Sequence, residues 1–112
     1  SQPAAAGSEQ TESIEAIKEA AKSGDAPAQL SLGWMYFNGQ GVKQSYVQAA
    51  KWFRKAADQG DPDAQVVLGS MYYAGKGVRQ DYKIAKEYFG KSCDNGLDQG
   101  CSEYAKMNKA GY

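Results

Sequence analysis

Few residues in this 112-residue chain could do chemistry, and their spacing excludes most reactions. The chain has no histidine, so Ser-His-Asp and Cys-His catalysis are out of reach and no imidazole can ligate a metal. An acylating serine of the β-lactamase kind needs a lysine three residues on. The residues three places after Ser31, Ser45, Ser70, Ser92 and Ser102 are Trp34, Gln48, Tyr73, Asn95 and Ala105. Ser8, Ser13 and Ser23 give Thr11, Ala16 and Ala26. The paired carboxylates Asp61 and Asp63 read as a helix cap and a first-turn charge that complements the helix dipole. Gly39-Gln-Gly41 and Gly75-Lys-Gly77 hold glycines like those of a phosphate loop, but they follow helical patterns and lack the rest of that motif. Lys51, Arg54 and Lys55 read as a solvated helix face. Lys+Arg and Asp+Glu number 13 each, a balance that argues against nucleic acid as a partner. The expectation is therefore no catalytic residue, no metal and no cofactor. Cys93 and Cys101 remain; they are not a C-x-x-C redox pair, and their role depends on the elements that carry them.

Those elements come from an internal repeat. Shifting residues 24–59 by 36 onto 60–95 aligns Gly24-Asp25 with Gly60-Asp61, Ala28-Gln29 with Ala64-Gln65, Leu32-Gly33 with Leu68-Gly69 and Met35-Tyr36 with Met71-Tyr72. Gly39, Gly41, Val42, Gln44, Tyr46, Ala49, Phe53, Lys55 and Asp58 also recur, making 17 identities in one ungapped register. The register runs on at both ends. The organisation expected is a disordered tether over 1–10 and a repeat domain over 11–112. The latter comprises a half repeat at 11–23, full repeats at 24–59 and 60–95, and a C-terminal capping helix at 96–112. The tether is of the kind that follows a removed signal peptide or a trimmed start. No apolar run approaches the ~20 residues of a membrane span.

Each full repeat reads as two helices. Ala28, Leu32, Met35 and Tyr36 form the stripe of the first, with Asp25 and Asp61 at N-cap positions and Pro62 at a first helical position. The glycine pairs end that helix by adopting positive φ. Ser45 and Asp81 cap the second helix, where Gln48 could complete a capping box. Its stripe is Ala49, Trp52, Phe53 and Ala56. Small residues on the packing faces let helices approach closely, and the aromatics fill the space beside them. The last helix has a weaker stripe, with Gly100 and Asn108 where Ala28 and Tyr36 stand. The fold class expected is all-α, a right-handed α/α solenoid of helix-turn-helix repeats.

The segments Ala28-Gln-Leu-Ser-Leu-Gly-Trp-Met-Tyr-Phe-Asn-Gly-Gln-Gly-Val42 and Ala64-Gln-Val-Val-Leu-Gly-Ser-Met-Tyr-Tyr-Ala-Gly-Lys-Gly-Val78 resemble Sel1-like repeats, as does Lys51-Trp-Phe-Arg-Lys-Ala-Ala57. The second copy departs at Glu87-Tyr-Phe-Gly-Lys-Ser-Cys93. Tetratricopeptide repeats have a period of about 34 and lack the G-x-G-V turn. The resemblance implies a protein-interaction scaffold, most often bacterial.

On the repeat register Cys93 falls near the end of the fifth helix and Cys101 in the first turn of the sixth. An antiparallel hairpin brings such positions within the ~5.5 Å Cα separation of a disulfide; two buried thiols are the alternative. The spacing is also similar to the cysteine-rich branch of the family, in which a bridge ties helices together. A bridge implies an oxidising compartment and hence an exported protein, periplasmic, surface-bound or secreted. Some members of that branch are described as binding or hydrolysing β-lactams, so a β-lactam or cell-wall-fragment binder is the second expectation. The first is a monomeric scaffold for a peptide or protein, with Ser31, Trp34, Asn38, Val67, Ser70 and Ala74 lining the concave face. Trp34 is the anchor candidate, because Ser70 replaces it in the second repeat; its bland alternative is packing onto the N-terminal helix. Leu30, Phe37 and Tyr73 would form an apolar rim. Zero net charge implies modest salt dependence at that surface.

Overall fold

The computed structural model describes residues 13–112. The tether expected over 1–10 lies outside them. The described residues form six helices and no strand: α1 over 13–22, α2 Ala26–Asn38, α3 Tyr46–Asp58, α4 Pro62–Ala74, α5 Tyr82–Asp94 and α6 Asp98–Lys109. From α2 onward each helix packs chiefly on its neighbours in sequence, with one further contact between α4 and α6. This is an all-α solenoid, in which cohesion is passed from one helix pair to the next.

The helix ends follow from side-chain chemistry. Asp25 Oδ2 accepts from the Ala28 N–H at 3.0 Å, and Asp61 Oδ1 accepts from Asp63 and Ala64 at 2.9 and 3.1 Å. Ser45 Oγ accepts from Gln48 at 3.1 Å and Asp81 Oδ1 from Ile84 at 3.0 Å. Each satisfies a backbone donor that the first helical turn leaves unpaired. The capping box anticipated for Gln48 does not form in reciprocal fashion. The Ser45 N–H instead donates to the Tyr36 carbonyl at 2.9 Å, which ties the loop back onto α2. Gly39 and Gly75 close α2 and α4 at φ 70° and 71°. Gly77 has a second reason to lack a side chain, since a Cβ there would overlap the Tyr46 carbonyl at the start of α3. The turn of one repeat thus rests on the previous repeat.

Three apolar clusters form the core. Ala21, Ala28, Leu32 and Met35 join α1 to α2, with Trp52 packed against them. Ala49, Phe53, Ala56 and Ala57 of α3 meet Ala64, Leu68 and Met71 of α4 in the central cluster. Val66, Ala85, Phe89 and Met107 close the C-terminal end. Within each repeat a glycine admits an aromatic ring onto the helix backbone. A Cβ on Gly33 would stand 2.6 Å from the Phe53 ring, and one on Gly69 2.8 Å from Phe89. The Leu-Gly dipeptide of each repeat is therefore half core side chain and half clearance for the ring opposite.

The repeats are also joined by buried amides. Gln29 Nε2 donates to the Ala21 carbonyl at 3.0 Å, and Gln65 Nε2 donates to that of Ala57 at 3.0 Å. Their oxygens accept from Gln59 Nε2 and Asn95 Nδ2, each at 2.9 Å. One glutamine per repeat thus bridges the preceding and following second helices.

Cys93 and Cys101 form a disulfide with a Cα–Cα separation of 4.4 Å. The Gly100 position, read above as a weakness, is a close contact. It is buried, and a Cβ there would lie 2.6 Å from Ser92 Cβ and 2.7 Å from the Cys93 nitrogen. The bridge next to it draws α6 so near α5 that the alanine of the earlier repeats no longer fits.

Candidate functional site

The surface-facing residues of α2 and α4 are the first place to look for recognition. Ser31, Trp34 and Asn38 are exposed on α2; on α4, Ser70 and Ala74 are exposed and Val67 is half-buried. The two sets behave differently. Val67, Ser70 and Ala74 come together with Phe37, Met71 and Lys76 around a groove of about 190 Å³. That holds one inserted side chain rather than a drug-sized molecule, which needs ~300–1,000 Å³. Ser31, Trp34 and Asn38 do not line this groove.

Trp34 is 39% exposed. Its ring meets Phe37 edge-on at 5.3 Å and Phe53 at 5.1 Å, on α2 and α3. Neither reading of it from sequence describes this fully. It does not fold onto the N-terminal helix, where Trp52 packs instead, nor does it stand free. It is a braced surface aromatic with one side open to solvent.

Sequence reasoning missed Lys76, whose ammonium lies 5.9 Å from the Phe37 ring centroid and 5.5 Å from that of Tyr46. Phe37 and Tyr46 pair at 5.0 Å, and their counterparts Tyr73 and Tyr82 pair at 4.9 Å. Tyr112, 36 residues after Lys76, completes the second set by packing on Tyr82 at 4.6 Å. The residue between the two turn glycines therefore covers an aromatic pair of the preceding helices. A lone lysine in a loop carries no such signal, but its register against Tyr112 does. The view of the tyrosines as interhelix filler also needs correction: Tyr46, Tyr73, Tyr82, Tyr104 and Tyr112 are all exposed large side chains.

Other depressions lie elsewhere, two of them about twice as large as the groove at Val67. One of about 360 Å³ is lined by Lys83, Lys86, Glu87, Tyr104 and Tyr112, and there Lys86 Nζ donates to the Tyr112 carbonyl at 2.6 Å. The other, about 450 Å³, is lined by Ala21, Lys22, Gly24, Gln29, Lys51, Trp52 and Lys55. The basic cluster read from sequence as a single solvated face is divided. Arg54 turns away to the Tyr72 hydroxyl, whereas Lys51 and Lys55 flank the Trp52 ring at 5.9 and 5.7 Å. Among the described residues no group of His, Cys, Asp or Glu side chains could hold a metal ion, and no helix is long and apolar enough to cross a membrane.

Stacked helix pairs and glycine-paired turns define a class: an α/α repeat solenoid. The chain belongs to the Sel1 repeat family, whose model matches residues 26–61 and 62–97. These matches keep the 36-residue interval. A Sel1 repeat protein from Oxalobacter formigenes superposes with a TM-score of 0.81 at 35% identity, covering 83% of this chain and 70% of that one. Cysteine rich protein B of Helicobacter pylori gives 0.77 at 32% identity, covering 80% and 67%. A protective antigen present in uropathogenic Escherichia coli strains gives 0.77 at 41% identity, covering 80% of this chain and 19% of that one. In sequence, 41 residues are 46% identical to the secretory immunoglobulin A-binding protein EsiB of Escherichia coli, a match over 37% of this chain and 8% of that protein. Sel1 repeat proteins generally act as scaffolds for protein–protein interaction.

Proposed function

We propose that this chain is a non-catalytic, monomeric scaffold of an exported bacterial protein, holding an extended peptide or a protein surface across the concave side formed by α2 and α4. The observation that carries the reading is the convergence of Val67, Ser70 and Ala74 with Phe37 and Lys76 on one side-chain-sized groove, beside the braced Trp34. An apolar side chain of the partner enters between Phe37 and Val67. Lys76 donates to a carbonyl or carboxylate oxygen at the rim, and Trp34 supplies a rigid aromatic contact of the type enriched at interface hot spots. Export is supported by the Cys93–Cys101 bridge, because disulfides persist in oxidising compartments. The immunoglobulin-binding name of the Escherichia coli relative fits a protein partner.

The test is affinity capture from the native host with mass-spectrometric identification, followed by titration of the purified partner. Trp34→Ala and Ser70→Arg are each expected to weaken binding by about tenfold or more, a typical hot-spot effect. A partner held at full strength by both variants would sink the concave-face reading. Saturable labelling by a fluorescent penicillin would favour a β-lactam binder instead.

A further inference from the structure

The groove between α1 and α3 has the same framework as its counterpart one repeat on, but opposite charge on its rim. A shift of 36 carries Ala21, Gly24 and Gln29 to Ala57, Gly60 and Gln65, unchanged. The same shift carries Lys22 to Asp58, Lys51 to Glu87 and Trp52 to Tyr88, while Lys55 becomes Lys91. The first copy therefore presents three cations and no anion; the equivalent positions in the second hold two anions and one cation. In α5, Glu87 stands four residues before Lys91, opposite charges at a helix spacing that favours them, although the two make no ion pair. In α3, Lys51 stands four residues before Lys55, a like-charge pair that weakens the helix.

Among the described residues no carboxylate makes an ion pair with Lys22, Lys51 or Lys55. Glu15 pairs with Lys18 on α1. Asp58, a turn beyond Lys55, neither lines the groove nor makes an ion pair with its lysines. The indole of Trp52 lies between the lysines as a half-buried aromatic floor, and each ammonium is within cation–π range of it. The Gln29 amide is already spent on Ala21 and Gln59, so the polar contacts left for a ligand are the three ammonium groups. A groove of about 450 Å³ can hold several residues of a chain.

We infer that this groove is a second docking site, independent of the α2/α4 surface, and that its occupant is an acidic peptide segment of a partner protein. Carboxylates of the segment neutralise Lys51, Lys55 and Lys22, and its aliphatic carbons lie on Trp52. Electrostatic complementarity selects the partner here.

The probe is dye-labelled hexaglutamate, titrated by fluorescence anisotropy into the full chain at low salt. Saturable binding that weakens steeply with added salt is expected. K51Q/K55Q should weaken it by about tenfold or more, with an unchanged circular dichroism spectrum, because close charge pairs carry much of such binding. Lys91→Gln, at the equivalent position of the second repeat, should leave it unchanged, as should Trp34→Ala. The latter separates failure here from failure of the concave-face reading. Equal affinity for K51Q/K55Q, or an equal loss with Lys91→Gln, overturns the proposal. Tighter binding of phosphatidylglycerol vesicles or of a dT oligonucleotide through the same lysines would overturn the choice of an acidic peptide.

Discussion

Gln29 and Gln65 show how much a single polar residue can decide. Both are almost fully buried, and each amide has partners at both of its ends. In Gln65→Leu the side chain keeps its bulk, but the exposed Asn95 amide loses the Gln65 oxygen and the Ala57 carbonyl keeps only the Gly60 N–H, at 2.9 Å. Each lost hydrogen bond costs ~0.5–1.5 kcal/mol net. The variant is expected to lower the unfolding free energy by about 1–3 kcal/mol in urea titration, with little change in m-value. The pairing of Gln29 with Gln65 was visible in the repeat alignment. Their role was not, because a glutamine on a helix reads as surface until the following repeat covers it. Gly100 gives the opposite lesson. By pattern it is a missing stripe residue, yet its lack of a Cβ is what permits the approach of α6 to Ser92 and Cys93.

The element with most at stake is α6. Its N-cap residue Leu97 makes no side-chain cap bond, in contrast to Asp25, Ser45, Asp61 and Asp81. Its buried residues are Gly100 and Met107 alone. The disulfide compensates, since closing so short a loop contributes about 2.5 kcal/mol in the chain-entropy model. Reduction, or the Cys93→Ser/Cys101→Ser variant, is expected to raise amide hydrogen exchange first along α6. The α3–α4 pair around Phe53 and Leu68 should keep its protection, because cohesion in a solenoid is local. Uniform loss of protection in all helices would show that the bridge supports the fold globally. The caps and turn glycines of the earlier helices were legible from residue type and spacing. The missing reciprocal bond of Gln48 was not, since the Tyr36 carbonyl that takes the Ser45 N–H comes from the previous helix.

For the molecule as a whole, zero net charge is a cancellation. The groove at Trp52 gathers Lys22, Lys51 and Lys55, whereas Lys76 is the one charged residue lining the groove on α2 and α4. The two surfaces should therefore respond differently to salt. Partner binding at α2/α4 is expected to change by less than about tenfold between about 50 and 500 mM salt, because one exposed charge is readily screened. A steeper dependence, read by titration across that range, would show that more charges enter that interface. The repeat period, the helices, the glycine turns and the proximity of Cys93 to Cys101 were all set by sequence. Each rests on local backbone chemistry or on a spacing that recurs every 36 residues. Tertiary structure alone decided that Trp34 leans on Phe53, that Lys76 covers Phe37 and Tyr46, and that Lys22 joins Lys51 and Lys55 around one indole. Those partners lie on different helices or, for Lys76, in the turn after α4, and they meet only once the small residues have fixed how closely the helices stack.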